Sequence, residues 1–563
     1  MPADGVASGA AVGAETGAAE AAVPFADWIH AHAARHGDAP ALRGGDAVLG
    51  WATFARRIDA VAAALAAAGV ASGAVVAWLG LNSTAMLATL WACARRGAVF
   101  MPLNWRLAPP EHRAMLHEAE PALFVADAGF AAASVAAGAA PPATRCVVVA
   151  DPPFDADAGA EGAAAAAAAI PAGWQRWDDF VVAGAGARVL ARGPEPSTAP
   201  AHAPDPSAAL LLCYTSGSTG RPKGVLLSAD ALAANADASD AMHGLVAADR
   251  VLTTLPLFHV GGLNILTTPA LRAGASVTLH AKFDPDAAFD AIERDRITLT
   301  VLVPAQLEAM LAHRRWAGAD LSSLRSISTG STVVPRRLID AVQARGVPLI
   351  QVWGATETAP IASALQAADA ARKTGSAGRA AAGVQLRIVD AAGADAAPGA
   401  SGEILVRGRS VMSAYWRDPD ASARALADGW FHSGDSGHLD AEGFLWVDGR
   451  LKDMIISGGE NVSPAEVEAV LLDDPGVAEV AVVGQPDARW GEVVVAVVVP
   501  RAAGAPSAER LLARFDGRLA RFKHPKALLF VDALPRTALG KVRKEDVRGL
   551  AARMLQDRAQ GVA

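Results

Sequence analysis

From residue 53 the chain alternates stretches of helical period with short runs that are apolar throughout. The spacing predicts helices over 53–68, 83–96 and 110–118, and strands over 74–79, 99–103, 123–126 and 146–150. Strands apolar on both faces and alternating with helices predict a parallel sheet covered on each side. A Pro/Ala/Gly-rich stretch up to about residue 206, with an alanine run at 163–169, reads as an insertion or mobile linker. A second alternating series then starts at Leu211, with strands over 251–255, 276–280, 299–303, 324–328 and 349–352. Its helices are predicted over 228–242, where Ser228 is the cap, up to Arg272, and over 285–294 and 335–345.

The pattern changes after residue 380. Segments 384–389 and 402–406 alternate like half-exposed strands, and Asp440–Gly443 carries a hairpin signal, so a smaller antiparallel part is expected. Beyond Asp453 a helix over 464–472, strands over 477–483 and 492–499 and a helix around 508–521 compose a compact α+β unit.

Composition narrows the class. A chain of 563 residues is too long for one core, and 52% hydrophobic against 19% charged residues supports large folded interiors. A formal charge of -8 argues against a general nucleic-acid surface. Residues 1–22 read as a disordered leader without the basic start of a secretory signal. The uncharged stretch 60–94 is cut by Gly69, Gly73, Gly80 and Asn82 into pieces too short for a membrane span. Cys93, Cys146 and Cys213 form neither a zinc site nor a disulfide framework, so a reducing cytoplasm is the expected compartment. His30, His32 and His36 read as a polar helix face rather than a metal site, and no Gly-x-Ser-x-Gly elbow occurs.

In open α/β sheets ligands gather at the carboxyl ends of strands. Three polar, glycine-containing segments fall there: after Cys213, after Ser328 and after Val352. The first, Thr215-Ser216-Gly217-Ser218-Thr219-Gly220 followed by Lys223, has the composition of a phosphate cradle. Glycines turn N–H groups toward an anion, hydroxyls add donors, and the lysine adds charge. Pro222 stands where a Walker loop needs its second glycine, so this is a different cradle.

Seven motifs in order then make the chain resemble the acyl-adenylate-forming superfamily: residues 214–224, 256–262, 353–358, 402–408, 430–435, 449–466 and 535–541. Within it, Pro102–Leu107 and His259–Asn264 look like bacterial AMP-dependent acyl- or aryl-CoA synthetases of the fatty-acid or feruloyl type. The resemblance implies a large multi-subdomain α/β N-terminal domain over 23–451, with helix-flanked parallel sheets and a small antiparallel barrel-like part. It also implies a small mobile α+β C-terminal domain over 452–563, with the hinge near Lys452. The implied reaction is ATP-dependent: a carboxylic acid, fatty or aryl, becomes an acyl-AMP with release of pyrophosphate, and the acyl group passes to coenzyme A. A carrier-protein pantetheine as acceptor, or a luciferase-like oxygenase, are the alternatives.

Carried over residue by residue, the loop Thr215–Gly220 with Lys223 holds the β- and γ-phosphates, and Thr356 and Glu357 face the α-phosphate and Mg²⁺, with Thr215 as a second metal contact. Gly330, Ser331, Trp353 and Gly354 line the adenine and acyl pockets, Trp353 taking the place of an aromatic that stacks on adenine. Asp435 holds the ribose hydroxyls, and Arg450 is a second ribose or phosphate contact. Lys541 bridges the carboxylate and the α-phosphate during adenylation, and His259 sits beside the carboxylate. Gly458 and Gly459 admit the pantetheine chain once the C-terminal domain has rotated. Partners are then the acid, ATP and CoA, without nucleic acid or membrane; the sequence leaves a homodimer open.

Overall fold

The computed structural model describes residues 23–559 apart from 45–46, 137, 150–169, 192–204, 216–221, 331–333, 458–459, 488–489, 502–505, 517, 520 and 538–539. The leader expected over 1–22 and the alanine run at 163–169 lie outside the described residues.

The apolar runs Val75–Leu79, Val99–Leu103 and Leu123–Asp127 are neighbouring parallel strands with every residue buried. Arg145–Val149 extends them on one side. On the other side stands Ala209–Thr215, parallel to Val99–Leu103. The strand expected to open the second series therefore completes the first sheet. It does so because Lys223–Ser228 folds back on it as an antiparallel partner, with Thr215 opposite Lys223. Residues 224–227 are apolar enough for that strand, and Ala414–Tyr415 pairs with its outer edge.

The second sheet has nine strands and a parallel centre: Leu349–Trp353, Ser326–Gly330, Leu299–Val301, Arg250–Thr253 and Ser276–Leu279. Its far edge comes from the start of the chain, where the hairpin of Pro40–Gly44 and Ala47–Gly50 docks with Leu42 beside Val277. Between the sheets, the helix Trp51–Ala67 buries Trp51, Phe54, Ile58, Val61 and Leu65, a 3–4 spacing that aligns them on one face. Truncating Phe54, fully enclosed there, removes roughly 3–5 kcal/mol of packing.

The stretch read as a linker contains structure: Gln175–Arg176 joins the first sheet and Trp177–Ala191 is a helix. Gly184 lies so close to the Trp51–Ala67 helix that a Cβ there would stand 2.3 Å from Ala64 Cα. Alanine and glycine, which looked like filler, permit this backbone approach. The His30–His36 face also differs from expectation. His32 is buried and donates to the Arg272 carbonyl at 2.7 Å, and His30 pairs with Asp59.

Beyond residue 380 the antiparallel part is a four-stranded sheet, Val384–Val389, Gly402–Gly408, Phe431–Leu439 and Leu445–Arg450. The last unit packs Pro464–Leu472 on one face of a five-stranded sheet and Lys544–Ala559 on the other. That final helix and the strand Ala527–Phe530 carry no strong periodic signal and were not expected. No helix among the described residues is long and apolar enough to cross a membrane.

Candidate functional site

The carboxyl end of the second sheet touches the antiparallel part through Trp353 and Asp435 and the edge of the first sheet through Glu357, Tyr415 and Lys223. The Leu349–Trp353 strand ends in a tight turn at Thr356–Thr358. Gly354 makes this turn possible, because a Cβ there would stand 1.8 Å from the Pro360 carbonyl oxygen. Gly330 ends the neighbouring strand under the same constraint, with Val352 O at 2.4 Å from its missing Cβ.

Asp435 and Arg450 are cross-strand partners in the antiparallel sheet, and Arg450 Nε lies 2.6 Å from Asp435 Oδ1. Trp353 Nε1 donates to Asp435 Oδ2 at 2.9 Å. The indole expected at the adenine position thus also orients this carboxylate. Burial raises the Asp435 pKa, with Arg450, Trp353 and Lys541 opposing that shift.

Glu357 accepts a hydrogen bond from the Tyr415 hydroxyl at 2.9 Å, and its carbonyl accepts from Met412 N at 2.8 Å. Lys223 Nζ lies 4.7 Å from the centre of the same Tyr415 ring. One side chain, Tyr415, thus touches both Lys223 and Glu357.

Lys541 belongs to the Pro535–Lys541 motif of the C-terminal unit. Its turn is closed by Thr537 N to Lys541 O at 2.8 Å and Lys541 N to Thr537 Oγ1 at 3.2 Å. The residue is exposed, and the charges that act on its ammonium are those of Arg450, Asp435 and Glu357. Desolvation, then Arg450, lowers its pKa, while Asp435 and Glu357 act the other way.

His259 caps the helical stretch that begins at Val260, and its Nδ1 accepts from Gly261 N at 3.0 Å. The proton of the neutral ring is therefore on Nε2, leaving a donor. Desolvation, then Lys541 and Arg106, lowers the His259 pKa to about 4, so the ring is uncharged near neutrality.

The structure thus gathers Thr215, Lys223, His259, Gly330, Trp353, Gly354, Thr356, Glu357, Asp435, Arg450 and Lys541 around the facing sheet ends. Lys452 lies outside the charged cluster, in the exposed turn Leu451–Asp453 that connects to the C-terminal unit. Ser216, Gly217, Ser218, Thr219, Gly220, Ser331, Gly458 and Gly459 lie outside the described residues.

Two residues there carried no sequence assignment. Tyr415 is one of only two tyrosines in the chain, a scarcity that was a usable signal. Arg106 lies within the Pro102–Leu107 segment, and its guanidinium stacks 5.0 Å from the Trp105 ring centre. A third contact joins the two parts of the molecule. Glu308, at the Pro304–Ala312 helix, lies 2.7 Å from Arg337 and 2.9 Å from Arg501 of the C-terminal unit.

Among the described residues no three His, Cys, Asp or Glu side chains converge as a metal cage. The single carboxylate of Glu357 beside hydroxyl-bearing Thr356 suits Mg²⁺, which keeps waters and shares phosphate oxygens. The cations Lys223, Arg450 and Lys541 outnumber Glu357 and Asp435, so the cleft favours a polyanion.

Comparison with known proteins agrees with this arrangement. The family model described as "AMP-binding enzyme" matches residues 29–416, and that of the "AMP-binding enzyme C-terminal domain" matches 466–541. An indoleacetate–CoA ligase of Aromatoleum aromaticum is 55% identical over 94% of this chain and 98% of its own. A feruloyl-CoA synthase of an Amycolatopsis species is 41% identical over 91% of this chain and 95% of its own. The crystal structure of the anthranilate CoA ligase AuaEII with anthranoyl-AMP superposes with a TM-score of 0.82. It shares 26% identity and covers 94% of this chain and 98% of that one.

Proposed function

The chain belongs to the AMP-binding enzyme family and is an AMP-forming acid–CoA ligase, and we propose that its acid is an arylacetic acid of the indoleacetate type. It uses ATP, Mg²⁺ and CoA. The observation that carries the choice of acid is the 55% identity to the indoleacetate–CoA ligase over 98% of that protein. Three free thiols, Cys93, Cys146 and Cys213, are in keeping with a reducing cytoplasm, where we place the enzyme.

In the first half-reaction a carboxylate oxygen attacks the α-phosphorus of ATP. The bond to the β-phosphate bridge oxygen breaks, and pyrophosphate leaves. An anion approaches an anion, so the site must cancel charge where it accumulates. In our reading Lys223, Thr215 and the loop 216–221 hold the departing phosphates. Thr356 and Glu357 face the α-phosphate, where Glu357 would hold Mg²⁺; the bound ion neutralises phosphate charge. Asp435 receives the ribose hydroxyls: each of its oxygens is already bonded once, and each keeps a further lone pair for a diol. His259 donates from Nε2 to one carboxylate oxygen and leaves the other free to attack. Lys541 bridges that oxygen and the α-phosphate.

In the second half-reaction the CoA sulfur attacks the acyl carbon, the acyl–phosphate bond breaks, AMP leaves, and the thiol proton is lost. We assign residues 23–451 and 452–563 to two domains, with Lys452 in the hinge turn, so that rotation withdraws Lys541 and brings Gly458 and Gly459 to the cleft.

An acid panel tests the reading: indoleacetate, phenylacetate, ferulate, benzoate and octanoate, scored by pyrophosphate release and CoA thioester. We expect the highest kcat/KM for indoleacetate. A tenfold preference for ferulate or octanoate would overturn the choice of acid and leave the ligase chemistry untouched.

A further inference from the structure

We propose that Tyr415 is a positioning residue for adenylation: it stands between Lys223 and Glu357 and presents both to ATP. The proposal rests on the roles given above to those two side chains.

The placement is specific. Tyr415 is buried at 8% exposure, and its two-residue strand is the edge partner of Lys223–Ser228. Backbone bonds tie the segment to both neighbours: Trp416 N to Gly224 O at 2.7 Å and Ser413 N to Leu226 O at 2.9 Å on the phosphate-loop side, and Met412 N to Glu357 O at 2.8 Å on the other. Tyr415 N donates to Ser422 Oγ at 2.9 Å, fixing the residue from behind. From this mount the hydroxyl reaches Glu357 Oε1 at 2.9 Å, and the ring face lies 4.7 Å from Lys223 Nζ.

The chemistry explains why a phenol is used. Lys223, on a strand of the first sheet, and Glu357, in the turn after the strand Leu349–Trp353 of the second, would otherwise collapse into a direct ion pair. That pair would cancel the positive charge meant for phosphate and the negative charge meant for the metal. Lys223 makes no carboxylate ion pair among the described residues. An aromatic face holds an ammonium without neutralising it, through the ring quadrupole, and yields it readily to a triphosphate. The hydroxyl donates to one carboxylate oxygen and leaves the second open.

The two halves of the side chain separate genetically. Tyr415→Phe keeps the ring and removes the donor; Tyr415→Leu removes both. With the acid that the panel turns over fastest, ATP–pyrophosphate exchange is measured against Mg²⁺ and against ATP. Calorimetry follows binding of α,β-methylene-ATP with and without Mg²⁺. For Tyr415→Phe we expect the Mg²⁺ requirement to rise about tenfold, as for a hydrogen bond to a charged group, with Mg²⁺-free nucleotide affinity within twofold. For Tyr415→Leu both should move, the Mg²⁺-free affinity falling about fivefold as Lys223 turns to Glu357. Thioester formation from supplied acyl-AMP should stay within twofold in both variants.

Equal behaviour of the Phe and Leu variants, or loss of the thioester step in proportion to a lowered Tm, makes Tyr415 a packing residue and overturns the proposal. Lys223→Ala and Glu357→Gln run alongside. If these shift nucleotide or Mg²⁺ dependence while the Tyr415 variants do not, the proposal alone falls. If they too are silent, the role assignment beneath it falls first.

Discussion

Lys223 and Lys541 bring the same functional group to one cleft from opposite kinds of support. Lys223 begins a six-residue strand whose two neighbours are both paired to it, and its ammonium rests on a buried ring. Lys541 ends a short, exposed turn held by its own hydrogen bonds to Thr537. The first cation is built to stay and the second to be withdrawn. On the proposed roles, Asp435 on its fixed strand should therefore matter in both half-reactions, Lys223 while the β- and γ-phosphates are present, and the group on the C-terminal turn in adenylation only.

The largest expected effect tests that asymmetry directly. Lys541→Ala should slow adenylation by about 10²–10³ and leave thioester formation from supplied acyl-AMP within threefold. Equal loss in both steps would erase the distinction. Asp435→Asn should weaken both steps, by roughly 10–50-fold, because ribose is held in ATP and in acyl-AMP alike; an effect confined to adenylation would place Asp435 with the movable group.

The pH profile sharpens the comparison. In the proposed adenylation step Lys541 acts as a charged ammonium, and its pKa is lowered by desolvation and Arg450. Its kcat/KM should fall about tenfold per pH unit on an alkaline limb lying below the ordinary lysine range. The thioester half-reaction should lack that limb. Neither step should show a limb near pH 6.5 from His259, which is neutral above about pH 4. The smallest effect is expected at Glu308, whose pairing with Arg501 is partly exposed. Glu308→Ala should shift the ratio of the two half-reactions by about threefold toward thioester formation, and the shift should shrink at high salt. A larger effect on both steps equally would mean that the pair stabilises the fold instead.

Much of this arrangement is legible in the chain because its information is local. Apolar runs such as Val75–Leu79 can only be buried strands, and Ser228 caps its helix by accepting from Ala231 N at 3.0 Å. Motif order locates Glu357, Asp435 and Lys541 because the chemistry needs those groups. What is not legible is partnership. Nothing in Leu211-Leu212-Cys213 says that it lies beside Val99–Leu103 rather than opening a new sheet, since a run apolar on both faces fits either. Trp353 looks like a stacking ring, and its N–H bond to Asp435 depends on strands 82 residues apart. Tyr415 escapes for the same reason: its meaning lies in Lys223 and Glu357, which only folding brings to it.

The docking of the first hairpin on the second sheet has a consequence in time. Leu42 finds its neighbour only when Val277 has been made, 235 residues later (277 − 42). At about 5–20 residues per second the ribosome needs on the order of tens of seconds to produce it. The strands of the first sheet, through Ser228, are complete before then. The nascent chain thus carries an unpaired hairpin past a nearly finished sheet, with the Leu42 and Leu49 side chains that end in the core still uncovered. Such an edge is a template for other chains. Slower elongation between 230 and 277 is accordingly expected to lower the soluble yield of the enzyme more than slowing anywhere later, which codon substitution in the two stretches would measure.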